Sequence, residues 1–155
     1  MFVDFKIKFV VIKFKFIMKK IGFLFFALAL ISCHSNVEKE SIAKLNGYWE
    51  IKTVTLENGE TKDYKVNETI DFFDLKNNVG FRQKVMPQFD GKFKTNGLKE
   101  NIKIFKTDNS YFLECKTDYG KWNEEIIRLE DSTLVLKNKQ NLVYTYKKFK
   151  PFSFK

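Results

Sequence analysis

From Gly47 onward the sequence predicts an all-β domain, a single antiparallel up-and-down barrel of about eight strands. Three observations predict this fold class. Apolar and polar residues alternate with the period of a strand, turn-forming residues recur about every 8–12 residues, and no long helical period occurs. A two-sheet β-sandwich is the alternative, because periodicity alone does not distinguish it from a barrel.

Strand-like segments alternate with turn-forming residues along the whole domain. The segments cover residues 49–53, 70–75, 79–86, 92–94, 102–104, 111–116, 122–129, 134–136 and 142–146. Turns are predicted at 58–59, 77–78, 90–91, 96–97, 108–109, 118–120, 130–132 and 139–141. Asn-Gly and Asp-Gly pairs are typical of two-residue hairpin turns. Consecutive segments are therefore expected to pair, and closure into a barrel removes the exposed sheet edges.

A short motif, Leu45-Asn46-Gly47-Tyr48-Trp49, opens the first strand and resembles the Gly-x-Trp motif of lipocalins. With the order of the hairpins, the resemblance implies a lipocalin-like β-barrel domain at residues 45–150. In that family the motif tryptophan closes the barrel base beneath a basic side chain of the last strand. The resemblance assigns this structural role to Gly47 and Trp49, and either Lys147 or Lys148 would supply the basic side chain. The chain departs from the family in lacking disulfides and the usual arginine.

The segment before Cys33 has the three parts of an export signal. Lys19 and Lys20 precede an apolar run at 21–31, and Ser32 leads into Cys33. The run is shorter than the roughly 20 residues that span a bilayer, and it lacks the polar residues of a core helix. Its end, residues 30–33, resembles the lipobox of bacterial lipoproteins. That resemblance implies cleavage before Cys33, a diacylglyceryl group on its thiol and an acylated N-terminus carrying chains such as palmitate.

The N-terminal region therefore divides into three predicted parts. Residues 18–32 are a lipoprotein signal peptide, and residues 1–17 are a start-site extension, with an amphipathic β-like segment as the alternative. Residues 33–44 are a lipid-anchored tether, in which a helical turn is plausible over 41–45. The expected location is the cell envelope, attached through the lipid to a bacterial membrane. The outer membrane is favoured, and the leaflet is left open.

The basic character of the chain comes mostly from this leader. The chain has 28 Lys and Arg against 19 Asp and Glu, a net charge of +9. Residues 1–32 hold six lysines and one aspartate, which leaves 22 basic and 18 acidic groups, or +4. Those remaining charges are interspersed along the domain, as on an ordinary solvated surface. Binding of nucleic acid is therefore not expected.

Residue types that carry catalysis are scarce in the domain. The only histidine, His34, lies in the predicted tether, and Cys115 has no second cysteine once Cys33 carries lipid. This excludes histidine-dependent triads and the usual His/Cys zinc sites. The adjacent pair Glu124-Glu125 faces opposite sides of a strand, so its spacing does not suit a two-carboxylate site. We expect neither enzymatic activity nor a cofactor.

Two functions remain from the sequence. The first is non-covalent binding of a small apolar ligand inside the barrel, because eight strands can be just wide enough to hold one. The second is an envelope structural or interaction protein with a filled barrel and no ligand. In either role a monomer is expected. The candidate ligand-binding residues are Phe72, Phe81, Phe105, Phe112, Trp122 and Tyr144.

Overall fold

A 3-10 helix followed by nine strands makes up the described part of the chain, residues 37–151 of a computed structural model. The helix is Lys39–Leu45. The strands are β1 (Gly47–Thr55), β2 (Thr61–Asp63), β3 (Ile70–Lys76), β4 (Val79–Pro87), β5 (Phe93–Thr107), β6 (Ser110–Thr117), β7 (Gly120–Leu129), β8 (Thr133–Asn138) and β9 (Val143–Lys148). The predicted extension, the signal peptide and Cys33 lie outside the described residues.

Eight of the strands close into an antiparallel up-and-down barrel. Strands β3 to β9 pair with their neighbours in sequence order, β1 pairs with β3, and β9 returns to β1. The short β2 pairs only with the end of β1, at Thr53–Thr55. The predicted barrel is confirmed, and the sandwich alternative is not adopted. This is the architecture that the resemblance to lipocalins implied.

Turn chemistry explains the two tight hairpins at residues 77–78 and 108–109. Asn77, Asn78 and Asp108 have φ values of 53°, 66° and 52°, the left-handed conformation that two-residue hairpin turns require. The predicted turn at residues 96–97 is wrong, because β5 continues through it. Gly97, with φ 79°, sits instead at a break in register, where pairing jumps from Gln83–Lys99 to Val85–Thr95. The Asn-Gly pair forms a bulge inside a long strand.

The antiparallel order gives the barrel two distinct ends. We call the end with the 3-10 helix and the turns at 77–78, 108–109 and 130–132 the closed end. The open end carries the turns at 118–119 and 139–142. A continuous apolar cluster occupies the interior towards the closed end; its largest fully buried members include Trp49, Phe73, Leu113, Leu134 and Leu136.

The 3-10 helix belongs to the folded domain. Ile42 and Leu45 are buried in the apolar cluster, so the domain begins before residue 45, and the predicted tether at 33–44 is too long. The helical turn expected over 41–45 is part of this helix. Between residues 37 and 151, no helix has the length and apolarity that crossing a membrane requires.

Candidate ligand-binding site

Trp49 is buried at the closed end, where it contacts Leu45 of the 3-10 helix and Lys148 of β9. Its side chain is 0% exposed, and its indole Nε1–H donates to the Leu45 carbonyl oxygen at 2.7 Å. Lys148 Nζ lies 4.2 Å from the ring centroid and donates to two backbone carbonyl oxygens beside Leu45. Lys147, on the opposite face of β9, pairs instead with Glu50 at 2.9 Å. Lys148 is therefore the lysine that lies over the tryptophan.

Gly47 is placed so that no other residue fits without strain. Its φ is 104°, and a Cβ atom there would lie 3.4 Å from Lys148 Nζ. The positive φ favours glycine, whereas a Cβ atom would make only an ordinary van der Waals contact with the lysine. Burial lowers the pKa of Lys148, and nearby Asp131 opposes that shift. These residues close this end of the barrel.

An ion network crosses the interior between the apolar cluster and the open end. Arg82 Nη1 and Nη2 lie 2.9 Å and 3.3 Å from the two carboxylate oxygens of Glu124. Arg82 Nε lies 2.6 Å from an oxygen of Glu100. The Trp122 indole N–H donates to Glu124 at 3.0 Å. The network links β4, β5 and β7, and it holds the Trp122 ring through Glu124; Arg82 and Glu124 are each only 8% exposed.

Burial and charge shift the pKa values of the groups around this network. Burial lowers the pKa of Arg82, but Glu124 and other nearby groups raise it well above its ordinary value. Burial raises the pKa of the Cys115 thiol to about 12, despite the opposing effect of Arg82. Burial likewise raises the pKa values of Tyr144 and Tyr146. At neutral pH the thiol and both phenols are therefore protonated.

A second ion pair also involves β4, the strand that carries Arg82. Asp71, 2% exposed, has its two carboxylate oxygens 2.8 Å and 2.9 Å from Lys84 Nζ. Only the longer contact is directed as a hydrogen bond, so Oδ1 has no hydrogen-bond partner among residues 37–151. Within that same range, no group of three or more His, Cys, Asp or Glu side chains is arranged to hold a metal ion. The interior charges are organised as ion pairs.

An open cleft of about 1030 Å³ lies at the open end. Strand β7 begins at Gly120, but its pairing with β8 begins only with Glu124 opposite Asn138. The cleft lies beside the part of β7 that β8 does not cover. Its lining residues are Phe112, Lys121, Trp122, Asn123, Glu124, Glu125, Lys137, Asn138, Lys139, Gln140, Asn141 and Tyr144.

Two of the predicted ligand-binding residues, Trp122 and Tyr144, meet in this cleft. Their strand positions face the barrel interior, since Trp122 pairs with Cys115 and Tyr144 with Leu136. The Asn138 amide donates to the Tyr144 hydroxyl oxygen at 3.3 Å. Both rings are half-buried and are held by hydrogen bonds to other cleft residues. The cleft therefore has rigid aromatic surfaces set among polar groups.

The other four predicted residues face outward, which corrects the expectation that they line the interior. Phe72 precedes the fully buried Phe73, and Phe81 precedes the buried Arg82. Because side chains alternate between faces, Phe72 and Phe81 lie on the outer surface. Phe105 and Phe112 also face outward and stack with ring centroids 5.5 Å apart. Of these four residues, only Phe112 borders the cleft.

The outward aromatic residues pack against one another across several strands. Tyr48 lies 4.7 Å from Phe72 and 4.1 Å from Phe93 between ring centroids. Phe72 contacts Phe81 at 6.0 Å, and Phe93 contacts Phe149 at 6.3 Å. We call these five residues the outer aromatic row. Their mutual contacts reduce the apolar surface that each leaves in water.

Sequence reasoning missed the polar residues of the site. Arg82, Glu100 and Asn138 were not singled out, and Glu124 was considered only with Glu125. The alternation argument itself holds, because Glu124 faces inward whereas Glu125 contacts Ser110 on the other face. The sequence did contain one signal for Glu100. Alternation along the strand places it on the same face as Ile102 and Ile104, both of which are buried.

Comparisons with known proteins find one similar solved structure. A scan against models of protein families finds no match. A search of curated proteins finds none either. Among solved structures, the chain is similar to a lipocalin-like protein from Bacteroides uniformis ATCC 8492 at 15% identity and a TM-score of 0.45. That match covers 68% of this chain and 99% of the other. The assignment of an up-and-down barrel rests on the strand pairing described above.

Proposed function

We propose that the domain binds a small ligand non-covalently in the cleft at the open end. The single observation that carries this proposal is the convergence of Trp122, Tyr144, Asn138 and Glu124 on one open cleft. Binding sites for small molecules combine apolar surface with a few fixed polar groups, and the ion network supplies that fixation. The interior of the closed end is filled by side chains of the apolar cluster.

The chemistry of the cleft revises the expected ligand. The sequence pointed to an apolar compound held by phenylalanines, but four of those aromatic residues face outward. Carboxylate, ammonium and amide groups line the cleft together with two inward-facing rings. A ligand with polar groups and an apolar face suits this lining better than a hydrocarbon chain.

Binding without catalysis is part of the proposal. Residues 37–151 contain no histidine, and the Cys115 thiol is 0% exposed with a pKa of about 12. A buried, protonated thiol is a poor nucleophile. The cleft carboxylate of Glu124 is engaged by Arg82 and Trp122. These features support a role in holding a compound unchanged.

Native mass spectrometry of protein purified from its own source tests this proposal. We expect a bound small molecule that is lost in the Trp122→Ala variant and retained in Tyr119→Ala. Tyr119 is the matched control, because it is an aromatic residue at the same end but is 97% exposed and outside the cleft. An unliganded mass for the wild-type protein, together with no small molecule in solvent extracts, would contradict binding.

We also propose that the protein is a lipoprotein anchored to a bacterial membrane through Cys33. The support is the sequence pattern of Lys19, Lys20 and the lipobox-like residues 30–33. A diacylglyceryl group with an added acyl chain makes such anchoring stable. Intact-mass measurement of the membrane form checks it: the expected N-terminus is an acylated Cys33, and an unmodified N-terminus elsewhere contradicts the proposal.

The second candidate, an envelope interaction protein without a ligand, is favoured by the outer aromatic row. Tyr48, Phe72 and Phe93 present aromatic surface outside the barrel, and the apolar cluster fills the closed end. An unliganded mass in the experiment above would make this the better explanation. Binding to a partner would then be expected to weaken in Phe72→Ala and not in Trp122→Ala.

A further inference from the structure

We infer that the ligand of the open-end cleft is a neutral saccharide of one or two rings. This inference rests on the proposed function and narrows its ligand class. Three features of the cleft carry it: fixed aromatic rings, amide side chains with free hydrogen-bonding capacity, and charges that are almost all paired within the protein. The rings favour a ligand with a flat apolar face, the amides favour hydroxyl groups over a hydrocarbon, and the paired charges favour a neutral ligand over an anion.

The aromatic rings supply flat apolar surface in a fixed orientation. Trp122 is held by its indole N–H bond to Glu124 at 3.0 Å, and Tyr144 by the bond from Asn138 at 3.3 Å. A sugar ring has one face of C–H groups, which packs on an indole or phenol ring, while its hydroxyl groups point outward. A ring already held in place loses little conformational entropy when such a ligand binds.

Amide side chains also line the cleft and are suited to hydroxyl groups. Asn123 and Gln140 border the cleft, and their side-chain amides make no hydrogen bond to any residue within 37–151. Each amide offers a carbonyl acceptor and an N–H donor on the same plane. That pairing matches two neighbouring hydroxyl groups, each of which both donates and accepts. A hydrocarbon ligand would make no use of these polar groups.

The charges beside the cleft favour a neutral ligand. Lys121 Nζ lies 2.7 Å from Glu114, and Lys137 Nζ lies 3.8 Å from Glu125. Glu124 is engaged by Arg82, as described above. Among the charged residues that line the cleft, only Lys139 lacks an ion-pair partner in the described chain. One exposed cation gives little selectivity for an anion.

Nuclear magnetic resonance of the two tryptophan indole groups tests the inference directly. The chain has two tryptophans, and they lie at opposite ends of the barrel. Cellobiose, lactose and N,N′-diacetylchitobiose are the saccharide probes, and palmitate is the apolar probe. We expect at least one disaccharide to shift the Trp122 indole resonance saturably, with Kd in the millimolar range or tighter, and to leave the Trp49 resonance unmoved.

Variants separate a cleft contact from a general effect on the fold. Trp122→Ala removes a partner of buried Glu124 and can unfold the domain, so the exposed Asn123→Ala and Gln140→Ala carry the test as well. Each is expected to weaken disaccharide binding about three- to tenfold, the loss of roughly one hydrogen bond. Tyr119→Ala, at the same end and outside the cleft, is expected to bind as the wild type does.

The two probe classes distinguish failure of this inference from failure of the proposed function. Saturable binding of palmitate at Trp122, with none of the disaccharides, overturns the saccharide assignment and leaves a ligand-binding cleft. No saturable shift with any probe, on protein that native mass spectrometry also finds unliganded, overturns both. If Asn123→Ala and Gln140→Ala leave disaccharide binding unchanged, the assignment of the saccharide to this cleft is overturned.

Discussion

Replacing Arg82 by methionine is expected to be among the most damaging single changes in the barrel interior. Met is unbranched and fills much of the volume of the arginine stem, so the change removes mainly the charge. Arg82 and Glu124 each have side chains 10% exposed, and Glu100 is 33% exposed. After the substitution, Glu124 remains as a buried carboxylate with no cation, whereas Glu100 reaches water.

The burial of the Arg82–Glu124 pair determines how large the loss of unfolding free energy should be. Breaking a buried ion pair by removing one partner costs about 3–5 kcal/mol, because the other charge stays desolvated. The loss at the part-exposed Glu100 adds about 0–1 kcal/mol. Adding Glu124→Gln removes the orphaned charge and keeps an acceptor for the Trp122 indole N–H. The double variant is therefore expected to recover about 1–3 kcal/mol of the loss.

Urea unfolding followed by far-ultraviolet circular dichroism measures these free energies, provided that the m-value is unchanged. Lys121→Met is the matched control: Lys121 makes an ion pair of similar length, 2.7 Å to Glu114, but is 57% exposed. It is expected to cost less than about 1 kcal/mol. An Arg82→Met variant no less stable than this control, or a double variant no better than the single, would refute the reasoning.

Three further expectations concern the remaining interior. Trp49→Ala removes a fully buried ring and its bond to Leu45, and it should cost about 3–5 kcal/mol in the same urea assay; an unchanged midpoint contradicts its role in closing the barrel. Gly80→Ala should destabilise by about 1–3 kcal/mol, because the new Cβ would collide with the Asp74 carbonyl group; wild-type stability would show that the strand yields there. The Cys115 thiol, with its pKa raised to about 12, should react with a disulfide reagent only on unfolding. The folded state holds that proton more tightly than the unfolded state does. The contribution of the thiol to stability is therefore complete below the ordinary pKa of 9.0 and declines as the pH rises to about 12. Urea titrations at several pH values in that window measure the decline.

Strand spacing was sufficient to predict the strands and most turns, because their causes are local, but it did not distinguish a barrel from a sandwich; the pairing of β9 with β1 decides that. Alternation marks a strand with one face inward, and Asn and Asp in tight turns tolerate the left-handed conformation better than most residues do. Gly97 shows the limit of this argument. The same Asn-Gly chemistry that makes a hairpin turn also makes a bulge, and only pairing with a distant strand decides between them.

The faces of the aromatic residues were not predictable in the same way. Phe72 and Phe73 are adjacent, so alternation puts one of them inside without saying which. The choice is made by register, since Phe73 pairs with Arg82 on the inner face. The ion network was still less accessible, because Arg82 bonds residues 18 and 42 positions away. Partners at such separations leave no local pattern.

The pairing of the last strand with the first has a consequence for folding kinetics. Lys148 bonds Asn46 across 102 positions of sequence, and β9 is the only described element that joins β8 back to β1. Contacts of such long range carry a large loop-closure cost and are expected to form late. Until residues 143–148 arrive, two strand edges stay open to pairing with other chains. Aggregation during synthesis or refolding should therefore depend on how quickly β9 pairs with β1 and β8.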